Sequence, residues 1–337
     1  VVGVVLVLLL GAGVLVSARF GQLPVSGTQM AGAALDGIGI RTSWANDDIV
    51  MSTLQQIRFP RLALSVVVGA GLATGGVIMQ AIFGNPLAEP GVVGVSSGAA
   101  LGAAVAIVTG VTFAGGATIA LAAFIAGFGS TLLVYATARA NGRTEVVTLL
   151  LTGIAVNAFA GAGIALMLFI GDTAAREQVV FWQLGSLNGA RWHEALITLA
   201  LVVPSSVVAI ALGRKYDVLS LGERSAAHLG IRVESLRMAS IALVAVLTAA
   251  AVSFAGIIAF VGLVVPHSIR MLCGPAHRGL LTLSMLAGAV LLVWCDLAAR
   301  SIVDGADLPI GMLTALIGGP FFFVLIRQAR QRAGGWR

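Results

Sequence analysis

The stretch from Arg58 to Gly102, RFPRLALSVVVGAGLATGGVIMQAIFGNPLAEPGVVGVSSGAALG, leaves few folds open to the chain that contains it. Two apolar runs, each long enough to cross or nearly cross a bilayer, are joined by Asn85 to Gly91, and the first begins with an Arg-x-x-Arg pair. Backbone polar groups in hydrocarbon must be satisfied within the segment itself, which admits helices and closed barrels only. Runs of about 20 residues are helix length, so this is a membrane hairpin with marked ends.

Similar runs recur along all 337 residues, of which 58% are hydrophobic and only 10% charged. Soluble domains carry roughly a quarter charged residues. The chain therefore reads as an all-α polytopic membrane protein, residues 1–337 forming one transmembrane domain. Its 43 glycines suit membrane helices that approach closely. The pI near 10.6 does not point to nucleic acid, because the basic residues are spread over the ends of apolar runs. Cys273 and Cys295 show no metal or redox spacing and read as free, packed thiols. Val1 to Val16 reads as a first span, since it lacks the basic leader of a signal peptide.

At 1.5 Å per residue, spans fall near 1–18, 62–82, 92–112, 116–138, 146–170, 195–213, 279–300 and 310–327. Ala239 to Leu272 would make one helix of about 51 Å, too long for one crossing and tight for two. Charge parity decides. With two helices there are ten spans, and thirteen of the twenty Lys and Arg fall on the side of both termini against seven opposite. The positive-inside rule then makes both termini cytoplasmic, with a break near Ser253 to Gly256.

Small or polar residues at i, i+4 spacing share one helix face: Gly94, Gly98 and Gly102; Gly153, Asn157 and Gly161; Gly311, Ala315 and Gly319. Helix packing explains most such stripes. Asn157 is different, because a mid-span amide needs either an aqueous pathway or an interhelical bond. Asp296 and Arg300, one turn apart, suit an ion pair; a proton relay is the functional alternative. His193, His228, His267 and His277 show no i, i+4 pairing that would suggest a metal or haem ligand set. Between Asp217 and Arg237, Ser220 and Glu223 have capping-box spacing and Gly230 fits a stop, predicting a short helix near 221–229. So short a helix needs a surface to dock on. The single lysine, Lys215, is in no Gly-Lys-Ser/Thr motif, so the chain has no P-loop of its own. It shows no catalytic constellation either.

The segments IRFPRLAL, NPLAEPGVVGVSSGAALG, LGERSAAHLGI, GLVVPHSIR and DLPIGMLTALIGGPFFFVLI, in this order between Arg58 and Arg327, resemble the FecCD-type permease subunits of bacterial ABC importers for haem, ferric siderophores and cobalamin. The resemblance implies the type II ABC importer permease fold in the cytoplasmic (inner) membrane. It implies a second permease subunit, expected as a homodimer with a paralogue as the alternative, two ATPase subunits and an extracytoplasmic substrate-binding protein. It further implies that Ser220, Leu221, Gly222, Glu223, Ala226, Ala227, Leu229 and Gly230 form the element that couples to the ATPase. Arg58, Arg61 and Arg300 match positions that dock the binding protein, with snorkelling at the membrane boundary as the alternative. Gly153, Asn157 and Gly161 match the translocation path, and Asn141, Gly142, Arg143 and Thr144 the cytoplasmic gate. Arg143 is bulkier than a gate residue commonly is, and Asp307 stands where the family commonly has Glu.

These readings predict a permease, not an enzyme, that holds no cofactor or metal. ATP and Mg belong to the ATPase, and haem, or a ferric siderophore next to it, is the cargo. Haem is favoured because the outer segment FWQLGSLNGARW looks somewhat more like haem permeases. A cobalamin permease and a proton-coupled transporter using Asp296 are the alternatives. Glu89 is left between an ATPase contact and a cap on the following helix.

Overall fold

The computed structural model describes all residues except 22, 41, 45, 46, 141, 142, 304 and 333–337; the side chains of 140, 143, 325, 326 and 328–332 are also left aside. The helices are α1 (Val2–Arg19), α2 (Gly27–Gly37), α3 (Asp48–Ser52), α4 (Phe59–Phe83), α5 (Val95–Thr109), α6 (Thr118–Thr137) and α7 (Val146–Ile170). They continue with α8 (Thr173–Leu184), α9 (Trp192–Leu219), α10 (Glu223–His228), α11 (Val233–Ala255), α12 (Val261–Cys273), α13 (His277–Ala299) and α14 (Ile310–Arg332). A π-helical stretch, Thr53–Arg58, joins α3 to α4 without interruption. The β pairing among the described residues is a two-residue ladder of β1 (Arg139–Ala140) with β2 (Arg143–Thr144).

Among the described residues, seven helices are long and apolar enough to cross a membrane, and Val95–Thr109, Val261–Cys273 and Ile310–Val324 are shorter apolar helices. The predicted spans coincide with these helices to within a few residues, except that α9 runs to Leu219.

Helix α4 is the axis of the bundle. Pro60 stands in its first turn, directly behind the π-helical stretch whose wider turn accommodates a residue that has no N–H to donate, and Gly84, at φ +58°, closes it in the left-handed conformation that glycine adopts without strain. It packs against α9, α11, α12 and α13. Glycine makes that possible: a Cβ on Gly69 would overlap the carbonyl of Gly288 on α13, and one on Gly76 the carbonyl of Gly262 on α12. The predicted stripe on α5 works alike, with Gly98 and Gly102 against Ala126 and Ala122 of α6.

The long segment 239–272 is broken, and the break covers Gly256 to Phe260, starting at the last residue of the predicted window. A break inside an apolar bundle frees backbone groups that must be met. Ser186 donates its amide to the carbonyl of Ala255 at 2.8 Å, and Ile310 donates to that of Gly185 at 2.9 Å. Gly185 and Gly311 both approach the Ile257 carbonyl so closely that a Cβ would not fit. The linker after α8 and the start of α14 thus close the gap.

Candidate functional site

Helix α9, 28 residues long and so about 42 Å, separates two polar ends. At its first residue, Trp192 donates its indole N–H to the carbonyl of Gln55, which places the Arg58 end. Asp217, near its last, accepts from the amide and ring Nδ1 of His277, both at 2.8 Å.

At the first end Arg58, Arg61 and Arg300 come together around a cavity of about 520 Å³ that Asp296 and Asp307 also line. Each guanidinium is engaged within the chain. Arg58, 7% exposed, donates to the carbonyls of Ala18 at 2.7 Å, Arg19 at 3.2 Å and Leu23 at 2.5 Å, so it staples the end of α1 to α4. Arg61 holds Asp296 through Nε at 2.8 Å and Asp307 through Nη1 at 2.7 Å. Arg300 donates to the carbonyls of Phe20 and Ser17 and to the Ser17 hydroxyl.

The predicted Asp296–Arg300 pair is therefore a lesser part of a larger network. Arg300 Nε lies 3.7 Å from Asp296 Oδ2, beyond hydrogen-bond reach, while Arg61 takes the other oxygen.

The opposite end carries α10. It forms inside the predicted 221–229 window, but its cap differs from the expectation. Ser220 closes α9 and donates its hydroxyl to the Asp217 carbonyl at 2.6 Å. Gly222, at φ +99°, precedes α10 without a side-chain cap, and Glu223 turns to Arg237 at 2.5 Å instead. The capping box is not made because Ser220 caps the end of α9 and α10 starts at Glu223 itself, so the two do not stand at N-cap and N3, and Glu223 is free for a charge-assisted bond to the buried arginine. Gly230, at φ +84°, does end the helix, and Ile231 closes the turn onto the Ala226 carbonyl. Ala226 is fully buried and pins α10 to the bundle, whereas Ala227 is exposed, as are Leu221 at 65% and Leu229 at 64%. Two leucines so exposed thus flank a six-residue helix.

Of the predicted gate residues, Asn141 and Gly142 lie outside the described residues. Arg143 is in β2, and Thr144 is buried, its hydroxyl donating to Glu234 at 2.5 Å and its amide to the same carboxylate at 3.0 Å. Along α7, Gly153 lies against the Val92 carbonyl with no room for a Cβ. Asn157 accepts from the Ser97 hydroxyl at 2.6 Å and donates to the Gly91 carbonyl at 3.4 Å, so its amide is met by interhelical bonds. Gly161 has nothing within 4 Å of its open face. The Glu89 side chain makes no cap bond to the turn Pro90–Val93 that it precedes, although its carbonyl accepts from the Val92 amide at 3.2 Å, and burial pushes its carboxyl above the ordinary value.

A multi-helix apolar bundle with a short exposed helix at one end and a polar cavity at the other is the architecture of a membrane-spanning protein. The model of the FecCD transport family matches residues 7–328, and the chain belongs to that family, whose members are ABC transporter permease subunits without catalytic activity. The hemin transport system permease protein HmuU of Yersinia pestis is 39% identical over 305 residues, covering 88% of this chain and 90% of that protein. The cobalamin import system permease protein BtuC of Halobacterium salinarum is 44% identical over 283 residues, covering 82% and 74%. A solved structure described as a metal-chelate type ABC transporter in an inward-facing conformation superposes with a TM-score of 0.84 at 33% identity, covering 96% of this chain and 98% of that one. The chain is thus the permease of an ABC importer.

Proposed function

We propose that this permease crosses the inner membrane ten times, with both termini cytoplasmic, pairs with a second copy of itself, and passes a haem or another ferric chelate inward. Two ATPases engage it at α10 and an extracytoplasmic binding protein at the Arg58 end. The seven long and three shorter apolar helices support ten spans. The observation that carries the ATPase assignment is the exposed pair Leu221 and Leu229 flanking a helix anchored by the buried Ala226. The expected result of the double substitution Leu221→Ser, Leu229→Ser is a loss of about 2 kcal/mol, or roughly thirtyfold, in ATPase binding by pull-down titration. The fold stays intact, because neither side chain is buried. Unchanged binding would place the ATPase elsewhere.

Arg58, Arg61 and Arg300 outnumber Asp296 and Asp307 among the residues lining the outer cavity, and this positive excess orients an acidic binding protein and speeds its arrival. Since they are also the internal staples of that end, their contribution is long-range and screened by salt. Association of the binding protein measured by stopped flow is expected to slow by about tenfold between low and high ionic strength; a salt-independent rate would leave the arginines a structural role alone. The α7 face of Gly153, Asn157 and Gly161 borders the path, and the Arg143–Thr144 strand, with Asn141 and Gly142, closes it on the cytoplasmic side. Exposed Leu151, Phe159, Leu166 and Phe169 on α7 are apolar surface for the second copy.

Haem is the first reading because HmuU matches along nearly the full length of both chains. Cobalamin is the second, on the higher identity to the halobacterial BtuC. Proteoliposomes holding the complete importer decide between them. ATP-dependent haem uptake is expected, and uptake of cobalamin without haem would reverse the assignment. Uptake on a pH gradient without the ATPase would instead establish a proton-coupled transporter.

A further inference from the structure

The ATPase-facing helix and the strand before the path helix are not neighbours in sequence, yet one buried side chain touches both. Arg237, near the start of α11, is 4% exposed. Its Nη2 meets the Glu223 carboxylate of α10 at 2.5 Å, and its Nη1 donates to the Thr144 carbonyl at 3.1 Å. Glu234, one turn earlier on α11, holds Thr144 from the other side through its amide and hydroxyl, and also accepts from the Tyr135 hydroxyl of α6 at 2.9 Å. Thr144 is two residues before the start of α7. Its amide, hydroxyl and carbonyl are thus all bound by α11, and α11 is bound in turn to α10.

We infer that Arg237, with Glu234, is the positioning residue that carries displacement of α10 to Thr144 and so to the first turn of α7. Arginine suits this task because its planar fork can serve two acceptors at once in a fixed geometry, which a lysine ammonium on a flexible stem cannot match. Burial makes the link stiff: pulling Glu223 away leaves a guanidinium that is out of water with Glu234, 3.8 Å from its Nη1, as the remaining counter-charge, so the arginine moves with its partner or turns toward Glu234 at the expense of the Thr144 bond. Either response changes the strand next to the proposed gate. Glu223 is suited to receive the input, since its side chain is 59% exposed at the head of the helix proposed to touch the ATPase. The inference rests on that reading of α10 and α7 for its transport consequence, but the mechanical link is testable without it.

The first test uses the purified chain in detergent. Glu223→Gln is expected to speed amide hydrogen exchange at Thr144 by about fivefold or more, although position 223 lies on another element. Exchange unchanged at Thr144 would overturn the link. The second uses the assembled importer in proteoliposomes, after the wild-type complex has shown ATP-driven uptake. Arg237→Lys, which leaves Glu223 and the exposed face of α10 in place but offers a single ammonium for two acceptors, is expected to keep the ATPase attached and hydrolysing while cargo moved per ATP falls by about fivefold. The exchanged pair Glu223→Arg with Arg237→Glu restores the ion pair but places at position 237 a carboxylate, which has no proton to donate to the Thr144 carbonyl, so it is expected to stay uncoupled. Recovery of wild-type cargo per ATP in the exchanged pair would show a local staple and overturn the proposal, as would wild-type cargo per ATP in Arg237→Lys. If the wild-type complex moves nothing on ATP, the importer reading fails, and the exchange result still decides the link.

Discussion

Replacing Gly76 with valine is expected to lower the thermal unfolding midpoint of the detergent-solubilised protein more than any other single change in α4. The site has no slack to absorb a side chain. A Cβ at this position overlaps the Gly262 carbonyl, and the atoms in the way are backbone, which cannot step aside by changing rotamer. Helix α4 and helix α12 would have to separate, opening the contact that also positions Pro90 against Gly262. Overpacking of this kind costs about 3 kcal/mol or more. Gly161→Ala is the control. It lies on α7 with nothing within 4 Å, so its expected effect is within about 0.5 kcal/mol of zero. Equal midpoints for Gly76→Val and the wild-type chain would show that the two helices are not in backbone contact.

The contrast between these glycines shows what sequence reading can and cannot resolve. Gly153 and Gly161 occupy one predicted stripe, yet the first touches the Val92 carbonyl and the second is open. Spacing places residues on a face; only tertiary structure says what that face meets. Apolar run length located the long helices well, because a bilayer imposes that length on any helix that crosses it. Charge parity likewise indicated a break in 239–272, whose reality lies in Gly256 and in Phe260, a non-glycine at φ +66°. Nothing in the local sequence marks Phe260 for that conformation. The capping box at Ser26 and Gln29, with bonds of 3.2 and 2.9 Å, is the kind of feature spacing does reveal, because both partners are local. Ser220 and Glu223 show the opposite case: right spacing, but a tertiary partner, Arg237, that spacing cannot reveal.

Asp296→Ala is the second substitution with a large expected effect, and it separates structure from transport. Asp296 is 1% exposed and shared between Arg61 at 2.8 Å and Arg300 at 3.7 Å. Removing it leaves two arginines side by side with less counter-charge, of which Arg61 keeps another carboxylate, Asp307, in direct contact. Breaking a buried pair costs about 3–5 kcal/mol, largely because the survivor stays charged and out of water. Partial rescue by Asp307 puts the expectation at the lower end, about 3 kcal/mol, read as the difference in unfolding free energy in denaturant. The pair was hidden in the sequence because its partners are 235 positions apart; the i, i+4 neighbour Arg300 was visible but holds the weaker contact. If Asp296 is a keystone of the α4–α13 contact, the double variant Asp296→Leu, Arg61→Leu recovers part of the loss, since a matched apolar pair leaves no charge stranded. If it relays protons instead, Asp296→Asn keeps its melting midpoint and abolishes transport. ATP-driven uptake surviving in whatever folded fraction of Asp296→Asn remains is the result expected of a structural carboxylate.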